Sequence, residues 1–301
     1  MKQRPSTTAL AVAFGQLLDA YDPALAPLFV PGHHDLLRAG VAAFEPRGPR
    51  GLRNLKRGWY RRAMWAVEGA TVPGIFLHYL LRKRFIEDAV RSALADGCTQ
   101  FIVIGAGLDT LATRLAREHA ALVCIEVDHP LTQAIKSKAL AQSGAPANLS
   151  LVAADLRETP LATVLATAPS YDSARPTVFV AEGLLMYLHE GDVAALFRDV
   201  RAIAPRGSRF VFTFMESDGS GRARFKGVKW WYGPLLDWWL ARIGESMHWS
   251  IDRTVLAAWA VPLGWHVLDI GTHETFRALY LAPHGLQARP LLDGEYVAVA
   301  E

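Results

Sequence analysis

Phe101-Ile-Val-Ile-Gly105-Ala-Gly107-Leu-Asp109-Thr110 decides the fold: an apolar run enters a glycine turn, and Leu108, Leu111 and Leu115 then recur at the spacing of one helix face. A strand that turns through glycines into a helix exposes backbone that a ligand can approach closely. The dinucleotide-binding version of this turn has a third glycine where the helix packs beside a pyrophosphate, and Thr110 stands at that position. Asp109 puts a negative charge at the helix start, where the backbone dipole favours an anionic ligand, and its carboxylate is suited to capping the helix. The turn therefore suits a cationic or zwitterionic ligand better than a diphosphate.

From Gln100 onward, apolar runs alternate with helical patterns, the signature of βαβ units around a parallel sheet. The runs are Phe101 to Ile104, Ala121 to Val127, Leu149 to Ala154, Thr177 to Ala181 and Arg209 to Phe214. Their near-continuous apolar character predicts strands covered on both faces. Leu131 with Ile135, and Val193, Leu196, Phe197 and Val200, mark helices between them; Pro130 suits a first turn, and Pro205 with Gly207 a stop. A helix over Asp252 to Leu263 follows, then further strands at Trp265 to Ile270, Phe276 to Leu281 and Tyr296 to Ala300. The expected class is α/β: a Rossmann-like, mostly parallel sheet over residues 98–301.

Residues 1–97 read as a helical cap packed on the ligand edge of the sheet, with helices at Thr7 to Tyr21, His33 to Ala43 and Leu77 to Ala95. Ser217 to Gly221 is a loop signal that opens a tryptophan-rich insertion at about 217–250. There Trp230-Trp231 and Trp238-Trp239 recur eight residues apart and share a helix face if Pro234 sits in a first turn. Core packing of the cap is the expected use of these rings. A lid over an apolar substrate, or an interfacial helix, is the alternative.

The 301 residues are 51% hydrophobic and 20% charged, which excludes a disordered or fibrous chain. Cys98 and Cys124 are too few for a disulfide framework, so a reducing, cytoplasmic setting is expected. Lys2 and Arg4 before Ala9 to Phe14 imitate a signal peptide, but Gln16 and Asp19 interrupt the run and Leu17 and Leu18 continue a helix. No run reaches the length of about 18 apolar residues that a membrane span needs. The net charge of +3 conceals seven Lys/Arg against Glu45 alone between residues 45 and 62. With Trp59 and Tyr60 beside it, this stretch leaves room for weak surface association, although a solvated basic face is the commoner use and no nucleic-acid partner is expected.

Acidic residues close the successive strands. Asp128 lies 21 residues beyond Gly107, where a carboxylate accepts hydrogen bonds from a ribose; Asp155-Leu156 ends the third strand and Glu182-Gly183 the fourth. With Asp109 after the first strand, four such groups stand at one edge, and together with the glycine turn they predict a nucleoside site. The segments Arg82-Lys-Arg84-Phe-Ile-Glu-Asp88, Gly105 to Thr110, Glu126-Val-Asp128-His-Pro130, Asp155-Leu156-Arg157 and Ala181-Glu182-Gly183-Leu-Leu-Met-Tyr187-Leu188 resemble, in order and spacing, the leucine carboxyl methyltransferase family of class I S-adenosylmethionine-dependent methyltransferases, including its bacterial polyketide carboxyl O-methyltransferase branch. The resemblance runs from about Leu81 to Glu216.

It implies S-adenosyl-L-methionine as cofactor. Gly105 and Gly107 would line its methionine portion, Asp128 hold the ribose, Asp155 with the Leu156 backbone read the adenine, and Glu182 face the amino group. The Arg82/Arg84 pair would anchor the carboxylate, a task suited to a guanidinium. Some relatives add a lysine in the first helix, where this chain has Thr8, and the Gly244-Glu245-Ser246-Met247 stretch resembles a segment near the substrate pocket.

The activity implied is methyl transfer to a carboxylate or hydroxyl of a small, rather apolar acceptor. A carboxylate is ionised at pH 7 and needs no general base; a hydroxyl would want one, for which His189, His248 and His273 are available. The sequence has no His-Glu-x-x-His cluster and no nucleophile elbow, so neither a metal site nor a hydrolase is expected. Among alternatives, a nicotinamide dehydrogenase is opposed by Asp109 and Thr110. A nucleic-acid methyltransferase lacks the Pro-Pro-Tyr type motif, and a non-catalytic cofactor-binding protein would bind without turnover.

Overall fold

The strand Gln100–Ile104 sets the layering, because successive residues face opposite sides of a sheet. Phe101 and Val103 enter one buried layer, Ile102 and Ile104 the other. A strand apolar on both sides must be covered on both, and the chain supplies helices to do so. The computed structural model describes residues 5–217, 223 and 225–301. Of the loop signal at 217–221, only Ser217 is among them, and Lys2 and Arg4 also lie outside the described residues.

Five helices come first: α1 (Thr7–Asp19), α2 (His33–Ala43), α3 (Arg47–Leu55), α4 (Gly58–Thr71) and α5 (Ile75–Ala95). The alternating region follows as β1 (Gln100–Ile104), α6 (Leu111–Glu118), β2 (Val123–Asp128), α7 (Pro130–Ser143), β3 (Leu149–Ala153), α8 (Leu161–Ala166), β4 (Thr177–Ala181), α9 (Glu190–Ile203) and β5 (Arg209–Met215). The chain closes with α10 (Gly233–Ile243), α11 (Arg253–Ala260), β6 (Val267–Gly271), α12 (His273–Phe276) and β7 (Glu295–Ala300).

The seven strands lie in the order β3-β2-β1-β4-β5-β7-β6. β1 to β5 pair in parallel, while β7 runs antiparallel between β5 and β6. From β1 the chain steps outward to β2 and β3, then returns to the other side of β1 as β4. This reversal opens a crevice at the carboxyl ends of β1 and β4, where open α/β sheets bind ligands.

On one face α5 and α6 bury Leu81, Phe85, Val90, Leu111 and Leu115 against the sheet; on the other α8, α9 and α11 bury Val164, Phe197 and Leu256. Trp265 is fully buried there and donates its indole N–H to the Phe197 carbonyl at 3.0 Å. A third cluster joins Leu17 and Leu18 of α1 to Leu37 and Val41 of α2, and it includes Leu108 from the glycine turn. Through that leucine, and through the packing of α1 on α5 and of α2 on α7, the amino-terminal helices sit over the crevice.

Two expectations are overturned. Phe276 to Leu281, expected as a strand, is the end of α12 and a wide helical turn over Arg277–Leu281. A strand would bury 276, 278 and 280 together, whereas Phe276, Tyr280 and Leu281 are buried and Ala278 is exposed, a helical repeat. Thr272 caps the start, accepting the Thr275 N–H at 3.3 Å. The tryptophan pairs do not form a packed core either. Pro234 does sit in the first turn of α10, but Trp230 and Trp231 precede that helix, and Trp230 and Trp238 are 88% and 57% exposed.

Candidate active site

Gly105 and Gly107 have φ of +73° and +54°, a left-handed conformation that costs glycine nothing and other residues strain. The turn is fixed from β2: the Gly105 N–H donates to the Val127 carbonyl at 2.8 Å, and the Gly107 N–H to the Asp128 carboxylate at 2.5 Å. The other Asp128 oxygen accepts the His129 N–H at 2.6 Å, which sets its carboxylate at the start of α7. A Cβ at Gly107 would lie 3.4 Å from the Ala9 methyl of α1, and one at Gly105 3.3 Å from Leu184, so backbone alone floors the crevice.

Above this floor lies a cavity of about 640 Å³, within the range of small-molecule sites. Part of its wall is polar, with Gly105, Gly107, Asp109, Asp128 and Glu182 from the strand ends. Another part is apolar and comes from α4 and the insertion, with Met64, Val72, Phe225, Leu236, Trp239 and Met247. α1 closes the cavity from Ser6 to Gln16. Its amino end is held by Glu245, which accepts from Ser6 Oγ at 2.9 Å, from the Thr8 N–H at 3.2 Å and from the Thr8 hydroxyl.

A chain of buried charges runs along one side. His78 Nε2 lies 3.0 Å from Glu295; Arg82 Nη1 grips both Glu295 oxygens at 2.7 and 2.6 Å; and Arg82 Nε and Nη2 donate to Glu182 at 2.9 and 2.7 Å. Lys83 then joins the other Glu182 oxygen at 2.8 Å to Asp109 at 2.6 Å. Asp109 also accepts the Leu111 N–H at 3.0 Å, the capping contact its position suggests. Burial pulls the Glu295 carboxyl upward, but the Arg82 guanidinium and the His78 bond outweigh it and hold the group at about 2. Burial likewise opposes ionisation of Asp109, and Lys83 overcomes it, leaving that carboxyl below the usual range.

The cavity thus brings together Arg82, Gly105, Gly107, Asp128 and Glu182 of the residues singled out from sequence. Arg84, Asp155 and Leu156 do not line it. Two residues, about 200° along α5, turn Arg84 to the side opposite Arg82, to Asp88 at 3.8 Å and over the Tyr280 ring. Asp155 is gripped by Arg157 at 2.9 and 2.5 Å, beyond the end of β3. Sequence reasoning passed over Lys83, although it sits inside the quoted Arg82–Arg84 run, and Glu295, which stands one residue ahead of the run Tyr296 to Ala300. No histidine lines the cavity among the described residues: His189 stacks on His248 with centroids 4.3 Å apart, and His273 pairs with Asp293 at 2.9 Å.

Just behind the glycine turn, His33 is buried with Nδ1 2.7 Å from Thr110 Oγ1 and Nε2 2.9 Å from Gln16 Oε1. Burial first, then the positive charges of Lys83 and Arg114, push its pKa down to about 3. Below the ordinary value of 6.5 the unfolded chain takes up a proton that the folded chain refuses, so this residue lowers stability as pH falls from 6.5 toward 3. At pH 5 the penalty is on the order of 2 kcal/mol, from about 1.4 kcal/mol per pH unit. Denaturant melts at pH 7 and pH 5 should show His33→Gln losing about that much less than the parent on acidification. An identical loss in both proteins would refute the assignment.

The leucine carboxyl methyltransferase family profile matches residues 20–201. A protein of Mycobacteroides abscessus named as an S-adenosyl-L-methionine-dependent methyltransferase is 30% identical over 268 residues, covering 87% of this chain and 81% of that protein. One of the same name from Mycolicibacterium paratuberculosis is 39% identical over 224 residues, covering 71% and 67%. Among solved structures, a methyltransferase from Thermobifida fusca aligns with a TM-score of 0.56 at 17% identity, over 88% of this chain and 93% of that one. A protein of the DUF574 family from Streptomyces avermitilis aligns with a TM-score of 0.55 at 16% identity, over 89% and 97%. The structural likenesses speak for the fold alone.

Proposed function

Because the chain belongs to the leucine carboxyl methyltransferase family and is an S-adenosylmethionine-dependent methyltransferase, we propose that it methylates the carboxylate of a small, rather apolar molecule in the cavity above β1 and β4. The carrying observation is that one cavity joins a glycine turn, a strand-end aspartate and an apolar wall, with no histidine on that wall among the described residues. An acceptor that is already ionised needs no base.

The residues present fit the cofactor. Among the described residues the lining holds six carboxylates, Glu68, Asp109, Asp128, Glu182, Glu245 and Glu295, against Arg82 and Lys83, an environment for a ligand bearing sulfonium and ammonium charges. When bound, S-adenosylmethionine supplies a methyl group made electrophilic by its sulfonium. Gly105 and Gly107 would line the methionine portion and Asp128 would take the ribose hydroxyls, while Asp155 and Leu156 stand outside the cavity wall. Glu182, held by Arg82 and Lys83, would accept from the amino group, and Arg82 rather than Arg84 would stand beside the carboxylate. α1 and the insertion keep water from the reacting atoms, so that the enzyme's work is alignment, an effect that reaches about 7–11 kcal/mol in favourable cases.

A hydroxyl acceptor is the second reading; Glu245 lines the cavity, but both of its oxygens already accept from Ser6 and Thr8. Methyl-labelled cofactor incubated with panels of apolar carboxylic acids and of phenols or alcohols separates the two. A product that releases methanol in mild alkali supports the carboxylate reading. An alkali-stable ether supports the hydroxyl. Cofactor binding without transfer to either panel would overturn both.

A further inference from the structure

The two helices that roof the cavity are apolar on their outer sides. On α4 the exposed positions Trp59, Ala63, Ala66 and Ala70 fall in one stripe at about 100° per residue, with Arg62 on one flank and Val67 on the other. Trp59 and Val67 are 64% and 56% exposed. α10 adds Leu235 and Trp238, and Trp230 projects beside it. The two meet: the Lys229 N–H bonds the Thr71 carbonyl at 3.0 Å, and Val67, Leu235 and Trp238 all both line the cavity and face outward. They are the rim of its mouth.

On α3, the turn after it and the first half of α4 stand six exposed cations, Arg47, Arg50, Arg53, Lys56, Arg57 and Arg62, none with a carboxylate at ion-pairing distance among the described residues. Glu45, the one acid of that stretch, is committed to Lys138 at 2.9 Å. Tryptophan and leucine around an opening, flanked by unneutralised Arg and Lys, match the interface of an anionic bilayer, where indoles settle at headgroup depth and basic residues meet lipid phosphate. A second copy of the chain would set this positive face against itself, and a nucleic acid would leave the indole and leucine rim unmatched. No helix among the described residues is long and apolar enough to cross a membrane, so contact would be superficial.

We propose that the face formed by α3, α4 and α10 docks on an anionic lipid surface and presents the cavity mouth to it, so that the acceptor is an amphiphile drawn from that surface. The substrate part rests on the methyltransferase reading above; the docking part does not. Sedimentation of the full chain with vesicles of phosphatidylcholine, with and without one-third phosphatidylglycerol, tests it, together with calorimetry of S-adenosylmethionine on the same protein. The expected result is binding at least tenfold tighter to the anionic vesicles, a blue shift of tryptophan emission, and weakening of at least tenfold between 50 and 500 mM salt.

Trp59→Ser with Trp230→Ser should abolish the blue shift. Arg53→Glu, Arg57→Glu and Arg62→Glu together should abolish the preference for anionic lipid, and both sets should retain cofactor binding because none of these residues lines the cavity. Failure of the parent to bind anionic vesicles at low salt, vesicle binding unchanged in the charge-reversed protein, tighter binding to duplex DNA or RNA, or a dimer that buries Trp230 would each overturn the docking. Loss of cofactor heat with vesicle binding intact would instead count against the methyltransferase reading alone.

Discussion

Replacing Arg82 with methionine is expected to destabilise the fold by about 3–5 kcal/mol at pH 8, the range for removing one partner of a buried ion pair. Among the described residues the guanidinium is the group that joins Glu182 to Glu295, and the three side chains are 5%, 11% and 1% exposed. Methionine fills much of the same space, so the loss isolates charge and hydrogen bonding from packing. The sign of the pH dependence is the stricter test. In the parent, Glu295 is held at about 2 against an ordinary 4.5, so its contribution is complete above 4.5 and is lost as pH falls through that window.

Without Arg82, burial dominates and the same carboxyl rises above 4.5, so the variant gains stability on acidification and its deficit shrinks from pH 8 to pH 5. Chemical melts at the two pH values measure this directly. Arg84→Met, whose nearest acid is the half-exposed Asp88 at 3.8 Å, should stay within about 0.5 kcal/mol of the parent. Equal costs at both arginines, or an Arg82→Met deficit that grows on acidification, would show that the chain of charges does not act as described.

How far the sequence could reach depends on how local the cause is. β1 and β4 were legible because a strand buried on both faces must be apolar at every residue, and both run within a residue of their expected limits. Asp128 was legible because the distance from a glycine turn to the next strand end is set by one βα unit. Glu295 was not: it meets Arg82 from 213 residues away, and only the topology that slots β7 beside β5 brings them together. α3 and α4 carried no clean one-sided apolar stripe to betray them, since α3 holds Gly48, Pro49 and Gly51, and α4 has Tyr60, Met64 and Trp65 packed inward but Trp59, Ala63 and Ala66 outward. The tryptophans misled for the same reason. Ring size argues for burial, but these rings border an opening, and an opening has no sequence period.

Removing the Asp128 carboxylate is expected to weaken S-adenosylmethionine and S-adenosylhomocysteine alike by about 100- to 1,000-fold, the factor for about 3–4 kcal/mol. Two hydroxyls of a ribose, each donating to a carboxylate, account for a loss of that size, since hydrogen bonds to charged groups are worth about 1.5–3 kcal/mol apiece. The structure adds a second reason. The same carboxylate holds the Gly107 N–H at 2.5 Å and the His129 N–H at 2.6 Å, so it also fixes the turn that floors the cavity. Asp128→Asn separates these parts: its one carbonyl oxygen can satisfy Gly107 or His129 but not both, while its amide presents donors to a partner that also donates.

Calorimetry should therefore rank Asp128→Ala near Asp128→Asn, both far below the parent, while the melting temperature of the unliganded protein falls in both and further in Asp128→Ala, which loses both backbone contacts. Asp155→Ala serves as the comparison. Its carboxylate is spent on Arg157 and lies outside the cavity wall, so a loss of no more than about tenfold is expected there. Affinity within threefold of the parent in Asp128→Ala would remove the ribose from this position, and with it the placement of the cofactor across the β1–β4 crevice.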